Sequence, residues 1–261
     1  MDGERQKTTN TFLETSPRLG MDDTFDFICH KGLDCFNECC HDLSLMLTAY
    51  DVLRLRRRLG MTSDEFLGTH TTVLCGEVFP LPTVHLKMLG DERRSCPFLT
   101  PEGCSVYEDR PWACRMYPLG SATSKNKNQA FNKEYFFIVR EPHCKGFYQN
   151  RPVTVRQWFE EQVITEYSEK NEFFKDLTMY QNQIAGMELD EHKQKMFFMA
   201  CYNLEKFKRF VFESSFLDRF DVEDETLARI SGDETELMLF AFEWLKFSIL
   251  GQQTMKVKSE D

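Results

Sequence analysis

Residues 29–40 read CHKGLDCFNECC, and residues 96–118 read CPFLTPEGCSVYEDRPWACRMYP. These two stretches contain seven of the ten cysteines in the chain, and Cys144 follows them. The first stretch has four thiols within twelve residues, and as thiolates they would repel one another unless a positive charge neutralised them. The spacing therefore predicts a metal ion or metal cluster in this part of the chain.

The composition of the 261-residue chain restricts its class. With 41% hydrophobic and 28% charged residues it has ordinary globular usage, and its net charge of -10 disfavours binding to nucleic acid or anionic lipid. The apolar stretch Leu237 to Leu250 is interrupted by Glu243 and Lys246, whereas a membrane span needs about 20 apolar residues. No secretory leader is recognisable at the N-terminus. We therefore expect a cytoplasmic protein without nucleic-acid or membrane partners, where reduced thiols favour metal binding.

The uneven distribution of cysteine also predicts the architecture. We expect an α+β protein in which a small cysteine-rich metal-binding domain, made of short strands and helices, precedes an all-helical domain. The expected segments are a flexible N-terminus at 1–20, the cysteine-rich domain at 21–150, the helical domain at 151–252 and a flexible tail at 253–261. Val78 to Leu89 and Tyr135 to Val139 have the pattern of strands.

Local signals mark several helices. Thr48 with Asp51 and Thr62 with Glu65 have the spacing of a capping box, and Gly60 is expected to end the first of these two helices. In the second part of the chain, an aromatic stripe at helical spacing begins at Trp158 and includes Val163. Further helices are expected to start near residues 190 and 233, and the last should end at residue 251. We interpret the aromatic stripes as core.

The cysteine spacing bears on the type of metal. Cys35-x3-Cys39 fits a zinc site, but no C-x2-C pair occurs in the chain. Adjacent Cys39 and Cys40 suit one small ion poorly, because successive side chains diverge. They reach different irons of one cluster more easily, and iron-sulfur clusters accept varied spacing. The spacing therefore favours an iron-sulfur cluster over zinc.

The order of the motifs resembles the YkgJ-type cysteine-cluster family over roughly Phe27 to Gly146. The matching elements are Cys39-Cys40, Leu47-Thr48 with Asp51, Leu59-Gly60, Cys96-Pro97-Phe98-Leu99, Gly103-Cys104, Val106-Tyr107, Arg110-Pro111, Cys114-Arg115 and Tyr117-Pro118. Members are described as zinc- or iron-chelating proteins. The resemblance implies eight metal ligands, namely Cys29, Cys35, Cys39, Cys40, Cys96, Cys104, Cys114 and Cys144. The family pattern is C-x2-C-x2-C-C, from which this chain departs with x5 and x3, so Cys29 is the weakest of the first four assignments.

Other residues close to these cysteines are secondary candidates. Arg110 and Arg115 flank Cys114, where a guanidinium would neutralise a thiolate centre or donate hydrogen bonds to its sulfurs. We therefore expect both as cofactor-binding residues, with a surface ion pair as the alternative. Three histidines adjacent to cysteines are weaker ligand candidates, namely His30, His41 and His143. Cys75 and Cys201 lie outside the motifs, and we expect Cys201 in the core.

Three classes of function agree with these features. The first is a protein that holds one or two 4Fe-4S clusters for redox or cluster-dependent chemistry, with a protein redox partner or substrate. The second is a structural zinc module. The third is an S-adenosylmethionine-dependent enzyme, because the cysteine cluster is also similar to that of flagellin lysine methylases. The chain lacks any G-x-G triplet, which weakens the third class. The substrate, the number of centres and the oligomeric state are not determined by these patterns.

Overall fold

The computed structural model describes residues 16–75, 80–124, 133–179 and 190–258. Helices and short antiparallel strands both occur there, and the C-terminal part is helical, which confirms the α+β class. The chain forms two compact units whose segments alternate along the sequence. Unit 1 consists of residues 1–41, 100–103 and 113–165, and unit 2 of residues 42–99, 104–112 and 166–261. The sequential boundary near residue 150 stays a prediction.

Unit 1 is built on two antiparallel strand pairs. Thr24–Asp26 pairs with Pro152–Thr154, and Leu119–Ser124 pairs with Lys133–Ile138. The second pair confirms the strand predicted at Tyr135 to Val139. The unit also contains the α-helix Val155–Glu161 and two 3-10 helices, Glu38–Cys40 and Gly146–Tyr148. The helices Trp112–Met116 and Ile164–Lys170 each contain a boundary between the units.

Aromatic side chains form the core of unit 1 around Phe27, which is only 2% exposed. Its ring meets the rings of Tyr117, Phe147 and Trp158 edge-on, with centroids 5.8, 5.1 and 5.4 Å away. Such edge-to-face contacts add to the free energy of burial. The segment just before the first cysteine is therefore anchored in the core.

Unit 2 contains a three-stranded antiparallel sheet with the order Met46–Leu47, Thr83–Leu86, Thr71–Leu74. The middle strand lies within the stretch predicted as a strand from Val78 to Leu89, although residues 76–79 are outside the described residues. A further short pair joins Leu99–Thr100 with Gly103–Cys104, and each of these two strands contains a boundary between the units.

The helices supply most of the apolar core of unit 2. Their bounds are Ala49–Leu59, Ser63–His70, Glu172–Met179, Glu191–Tyr202, Leu204–Glu213, Phe216–Arg219, Asp224–Gly232 and Glu234–Leu250, with a 3-10 turn at Tyr107–Asp109. The helix Glu234–Leu250 packs against four others, namely Asp224–Gly232, Glu191–Tyr202, Leu204–Glu213 and Ala49–Leu59. Phe173 stacks on Phe242 with centroids 4.6 Å apart, as the core interpretation of the aromatic stripes predicts. None of the helices in the described ranges has the length and apolar character needed to cross a membrane.

The predicted helix ends are confirmed at the level of hydrogen bonds. Both capping boxes are present, with Thr48 and Thr62 as N-caps. Gly60 and Gly251 end their helices at φ angles of 65° and 68°, a conformation in which glycine avoids a steric penalty. The aromatic stripe from Trp158 is not one helix, because Val163 has a φ of 54° and separates two short helices.

Asp51 connects a helix start to a distant segment of unit 2. It is 1% exposed. One carboxylate oxygen accepts the N–H of Thr48 at 2.9 Å, and the other accepts the N–H of Trp112 at 2.8 Å. The side chain thus satisfies two donors that would otherwise lose their partners.

The substitution Asp51→Ala should lower the free energy of unfolding by about 1 to 3 kcal/mol, because it leaves buried N–H groups without acceptors. Urea denaturation followed by circular dichroism measures this loss. Glu65→Ala is the matched control, since Glu65 has the same position in an exposed capping box, and its loss should be smaller. Equal losses in the two variants would contradict a special role for Asp51.

Candidate metal centre

Two hydrogen bonds donated by backbone N–H groups in unit 1 bring together cysteines that are far apart in sequence. The N–H of Ile28 donates to the carbonyl oxygen of Gly146 at 3.2 Å. The N–H of Lys145 donates to Sγ of Cys35 at 3.1 Å. Since Cys29 follows Ile28 and Cys144 precedes Lys145, three of the predicted ligands lie in adjoining segments.

Gly146 is what permits this close approach. A Cβ atom at that position would lie 2.6 Å from Cε2 of Phe27 and 2.8 Å from the carbonyl oxygen of Ile28. Real Cβ atoms do not tolerate such distances, so glycine is required where the two segments cross.

Successive turns shape the first cysteine stretch. The N–H of Glu38 donates to the carbonyl oxygen of Cys35 at 3.0 Å, and the N–H of Cys40 donates to that of Asn37, also at 3.0 Å. Asn37 precedes the 3-10 helix at a φ of 73°, which asparagine tolerates better than most residues, and its side-chain amide donates to the carbonyl oxygen of Thr100. These bonds hold Cys35, Cys39 and Cys40 in a compact segment.

The thiols of this region influence one another electrostatically. The pKa of Cys29 is raised to about 11, first by loss of water around the thiol and then by repulsion from Cys39, Cys35 and Cys144. The pKa of Cys39 is lowered to about 7, mainly by a hydrogen bond with Cys40. Cys29, Cys35, Cys39 and Cys144 therefore form one interacting group, which we call the unit 1 thiol group.

The other predicted ligands have different surroundings. Cys114 is exposed on the short helix Trp112–Met116 and belongs to unit 1. Cys96 and Cys104 belong to unit 2, where both are half-buried and pack against its apolar core. Burial raises the pKa of Cys104, while the charge of Arg110 acts in the opposite direction. The structure does not place these three in the unit 1 thiol group.

The two predicted arginines are both buried. An Nη1–H of Arg115 donates to the carbonyl oxygen of Gln162 at 2.9 Å. Arg110 donates to the carbonyl oxygen of Tyr107 at 2.6 Å, and its guanidinium lies 3.9 Å from the centre of the Tyr107 ring. Its electrostatic effect on Cys104 agrees with the predicted cofactor-binding role. That role stays a prediction for both arginines.

The remaining candidates behave less like ligands. Nδ1 of the exposed His30 accepts the N–H of Gly32 at 3.1 Å, and Nδ1 of His41 lies 3.3 Å from the carbonyl oxygen of Glu38. His143 and Cys75 are exposed. Cys201 is 1% exposed in the core of unit 2, which confirms its predicted place.

The donor chemistry of the unit 1 thiol group fits zinc or iron, because cysteine thiolates are preferred ligands of zinc and of iron-sulfur clusters. Mutual repulsion among these thiols also favours a bound cation. Within the described ranges, no three or more His, Cys, Asp or Glu side chains are arranged so that they could hold a metal ion.

Two residues near the thiols received no role from the sequence. Gly146 closes the crossing of the two segments, and the pKa of Tyr117 is raised by burial and by an interaction with Cys144. Tyr117 belongs to the motif Cys114-Arg115 followed by Tyr117-Pro118. The motif does not indicate an interaction with Cys144. Gly146 had only its place two residues after Cys144 as a signal.

Comparison with known proteins adds one result. No curated protein and no solved structure matches the chain. Residues 28–145 match the model of the family CxxCxxCC, described as "Putative zinc- or iron-chelating domain". This range includes all eight predicted ligand cysteines and excludes Cys201. The cysteine-rich region of this chain, residues 28–145, is therefore similar to the CxxCxxCC family of zinc- or iron-chelating domains.

Proposed function

We propose that the unit 1 thiol group, Cys29, Cys35, Cys39 and Cys144, holds an iron-sulfur cluster of the 4Fe-4S type for redox or cluster-dependent chemistry. The observation that carries the proposal is the crossing at Gly146, which brings the Cys29, Cys35 and Cys144 segments together across more than a hundred residues of sequence. Four thiolates are the number that such a cluster takes. When bound, a cluster of this type supplies one-electron transfer.

The roles of the chain's own residues follow from their contacts. The N–H of Lys145 donates to Sγ of Cys35, and hydrogen bonds to ligand sulfurs tune the reduction potential of a cluster. Cys29 is protonated at neutral pH, since its pKa is about 11. Ligation must release that proton, so metal binding competes with protonation.

Four further cysteines are included in the proposal as ligands. Ligand roles for Cys40, Cys96, Cys104 and Cys114 rest on the family resemblance, and so does a second centre. The adjacent pair of Cys39 and Cys40 favours a cluster over one small ion, for the reason given above.

A structural zinc module is the second candidate. It is favoured by the Cys35-x3-Cys39 spacing, which the 3-10 helix Glu38–Cys40 keeps compact. The match to a zinc- or iron-chelating family supports both candidates equally. The methylase-like alternative rests only on the resemblance between cysteine clusters.

The two candidates differ in composition and colour. Protein purified without oxygen should be brown and contain iron and acid-labile sulfide, with visible absorption that bleaches on reduction. The measurement is an absorption spectrum combined with iron, sulfide and zinc analysis. A colourless protein with stoichiometric zinc and no sulfide would replace the cluster by the zinc module, and a protein free of all three would refute the proposal.

Ligand identity is tested by single substitutions. Cys29→Ser, Cys39→Ser and Cys144→Ser should each lower the metal content per chain, because each removes one thiolate from the unit 1 thiol group. Cys201→Ala is the control, since that residue lies in the core of unit 2, and it should retain the full metal content. Full loading of both Cys29→Ser and Cys144→Ser would show that this group is not the site.

The crossing of the two segments is tested at Gly146. Gly146→Ala should destabilise the protein by roughly 1 to 3 kcal/mol through overpacking and should also lower metal content, because its methyl group would push Cys144 away from Cys29. Denaturation and metal analysis measure the two effects. The control is Gly20→Ala, where the nearest neighbouring atom to a new Cβ is 3.6 Å away. If Gly146→Ala binds metal at the level of the control, the crossing does not position the ligands.

A further inference from the structure

A cavity of about 460 Å³ lies in unit 2, and none of the described cysteines lines it. Its walls come from the helices Glu172–Met179, Asp224–Gly232 and Glu234–Leu250 and from the segment that contains Thr254. The hydroxyl of Thr254 donates to the carbonyl oxygen of Glu243 at 2.6 Å, which holds that segment against the last helix. Small-molecule sites in proteins have volumes of about 300 to 1,000 Å³, so the cavity is large enough for a ligand.

The floor of the cavity is apolar and belongs to the core of unit 2. Phe173, Ile230 and Phe242 line the cavity and are only 2 to 3% exposed. The half-buried side chains of Leu239 and Phe240 add to this surface. Because tight packing fixes the buried groups, an aromatic ring finds a preformed apolar surface there without rearrangement of the core.

Charged side chains surround the apolar floor, and the acids outnumber the bases. Among the described residues, four glutamates and three basic side chains line the cavity. Nζ of Lys246 lies 2.9 Å from a carboxylate oxygen of Glu243 and 3.9 Å from one of Asp176, which adds a fifth acid. Arg229 lies 3.9 Å from Glu236. These acids therefore offset the charges of two of the three bases.

Glu172 is the acid at this cavity that stands apart from the bases. Its side chain is exposed, and it forms no ion pair within the described part of the chain. Burial raises the pKa of Asp176, and repulsion from Glu172 and Glu243 adds to this effect, whereas Lys246 opposes it. Carboxylates that repel one another at one edge of an apolar cavity attract a cationic group to that edge.

We propose that this cavity binds an arylalkylamine, a small molecule that carries an aromatic ring and a protonated amino group. The ring packs on the apolar floor beside Leu239 and Phe240, and the ammonium group lies at the edge that contains Glu172. Phenylalanine rings also attract cations, so the floor and the edge favour the same ligand. The proposal concerns unit 2 alone and is independent of the metal centre.

The test compares three probes that share a phenyl ring and differ in charge. The full-length protein is titrated with 2-phenylethylamine, 3-phenylpropanol and 3-phenylpropionate, and the dissociation constants are measured by ligand-observed NMR. The amine should bind about tenfold more tightly than the acid, because the excess of carboxylates attracts one and repels the other. The neutral alcohol should lie between them.

Three variants locate the binding. Glu172→Gln should weaken binding of the amine about two- to fivefold, the effect of losing an exposed ion pair, and should leave the alcohol unchanged. Glu225→Gln is the matched control, since it removes the same charge from an exposed position on the helix Asp224–Gly232, and it should change neither. Thr226→Trp places an indole at a half-buried position that lines the cavity, and it should abolish binding of the amine and the alcohol while the circular dichroism spectrum is retained.

Three outcomes would overturn the inference. The first is binding of the acid at least as tight as that of the amine, which assigns the cavity to anions held by its basic side chains. The second is binding of the amine that is equally strong in Glu172→Gln and Thr226→Trp, which places the amine elsewhere. The third is a protein that binds none of the three probes.

Discussion

The contact between Phe27 and Gly146 is the constraint on which the arrangement of unit 1 depends. No side chain fits at position 146, because a Cβ atom there would meet both the ring of Phe27 and the carbonyl oxygen of Ile28. The strand pair Thr24–Asp26 with Pro152–Thr154 holds the same two segments on one side of this contact. The aromatic cluster around Phe27 keeps them from separating. This geometry sets the positions of Cys29 and Cys144, since each lies within two residues of the crossing.

The thiols placed there are costly to ionise together. Cys29 keeps its proton near neutral pH, whereas the pKa of Cys39 is close to 7 because Cys40 stabilises its thiolate. A bound cation offsets the loss of water and the repulsion that together raise the pKa of Cys29, so the region gains stability when a cation binds. The N–H of Lys145 donates a hydrogen bond to Sγ of Cys35, one sulfur of this group.

Unit 2 is stabilised by an apolar core. Its aromatic helices bury a continuous apolar core, and Asp51 satisfies two backbone donors within it. Burial of large side chains is the dominant favourable contribution to folding, so this core stabilises the unit. Cys96 and Cys104 pack partly against that core, which shows that a predicted ligand also has the packing role of a small apolar residue.

The features that were predicted correctly are those that depend on neighbours in the chain. Both capping boxes and the helix ends at Gly60 and Gly251 were predicted because the interacting groups lie within a few residues of each other. The α+β class and the metal-binding character were readable from composition and from the clustering of cysteine, since repulsion between close thiolates depends on spacing alone.

Only the tertiary structure decided which of the cysteines meet. The pairing of Thr24–Asp26 with Pro152–Thr154, the donation from Lys145 to Cys35 and the donation from Ile28 to Gly146 join segments that are distant in sequence. Such contacts leave no periodic signal, because each is made by one or two residues. The positive φ of Val163, which divides the aromatic stripe, was missed for a related reason. Helical spacing does not report a backbone angle that packing imposes at one residue.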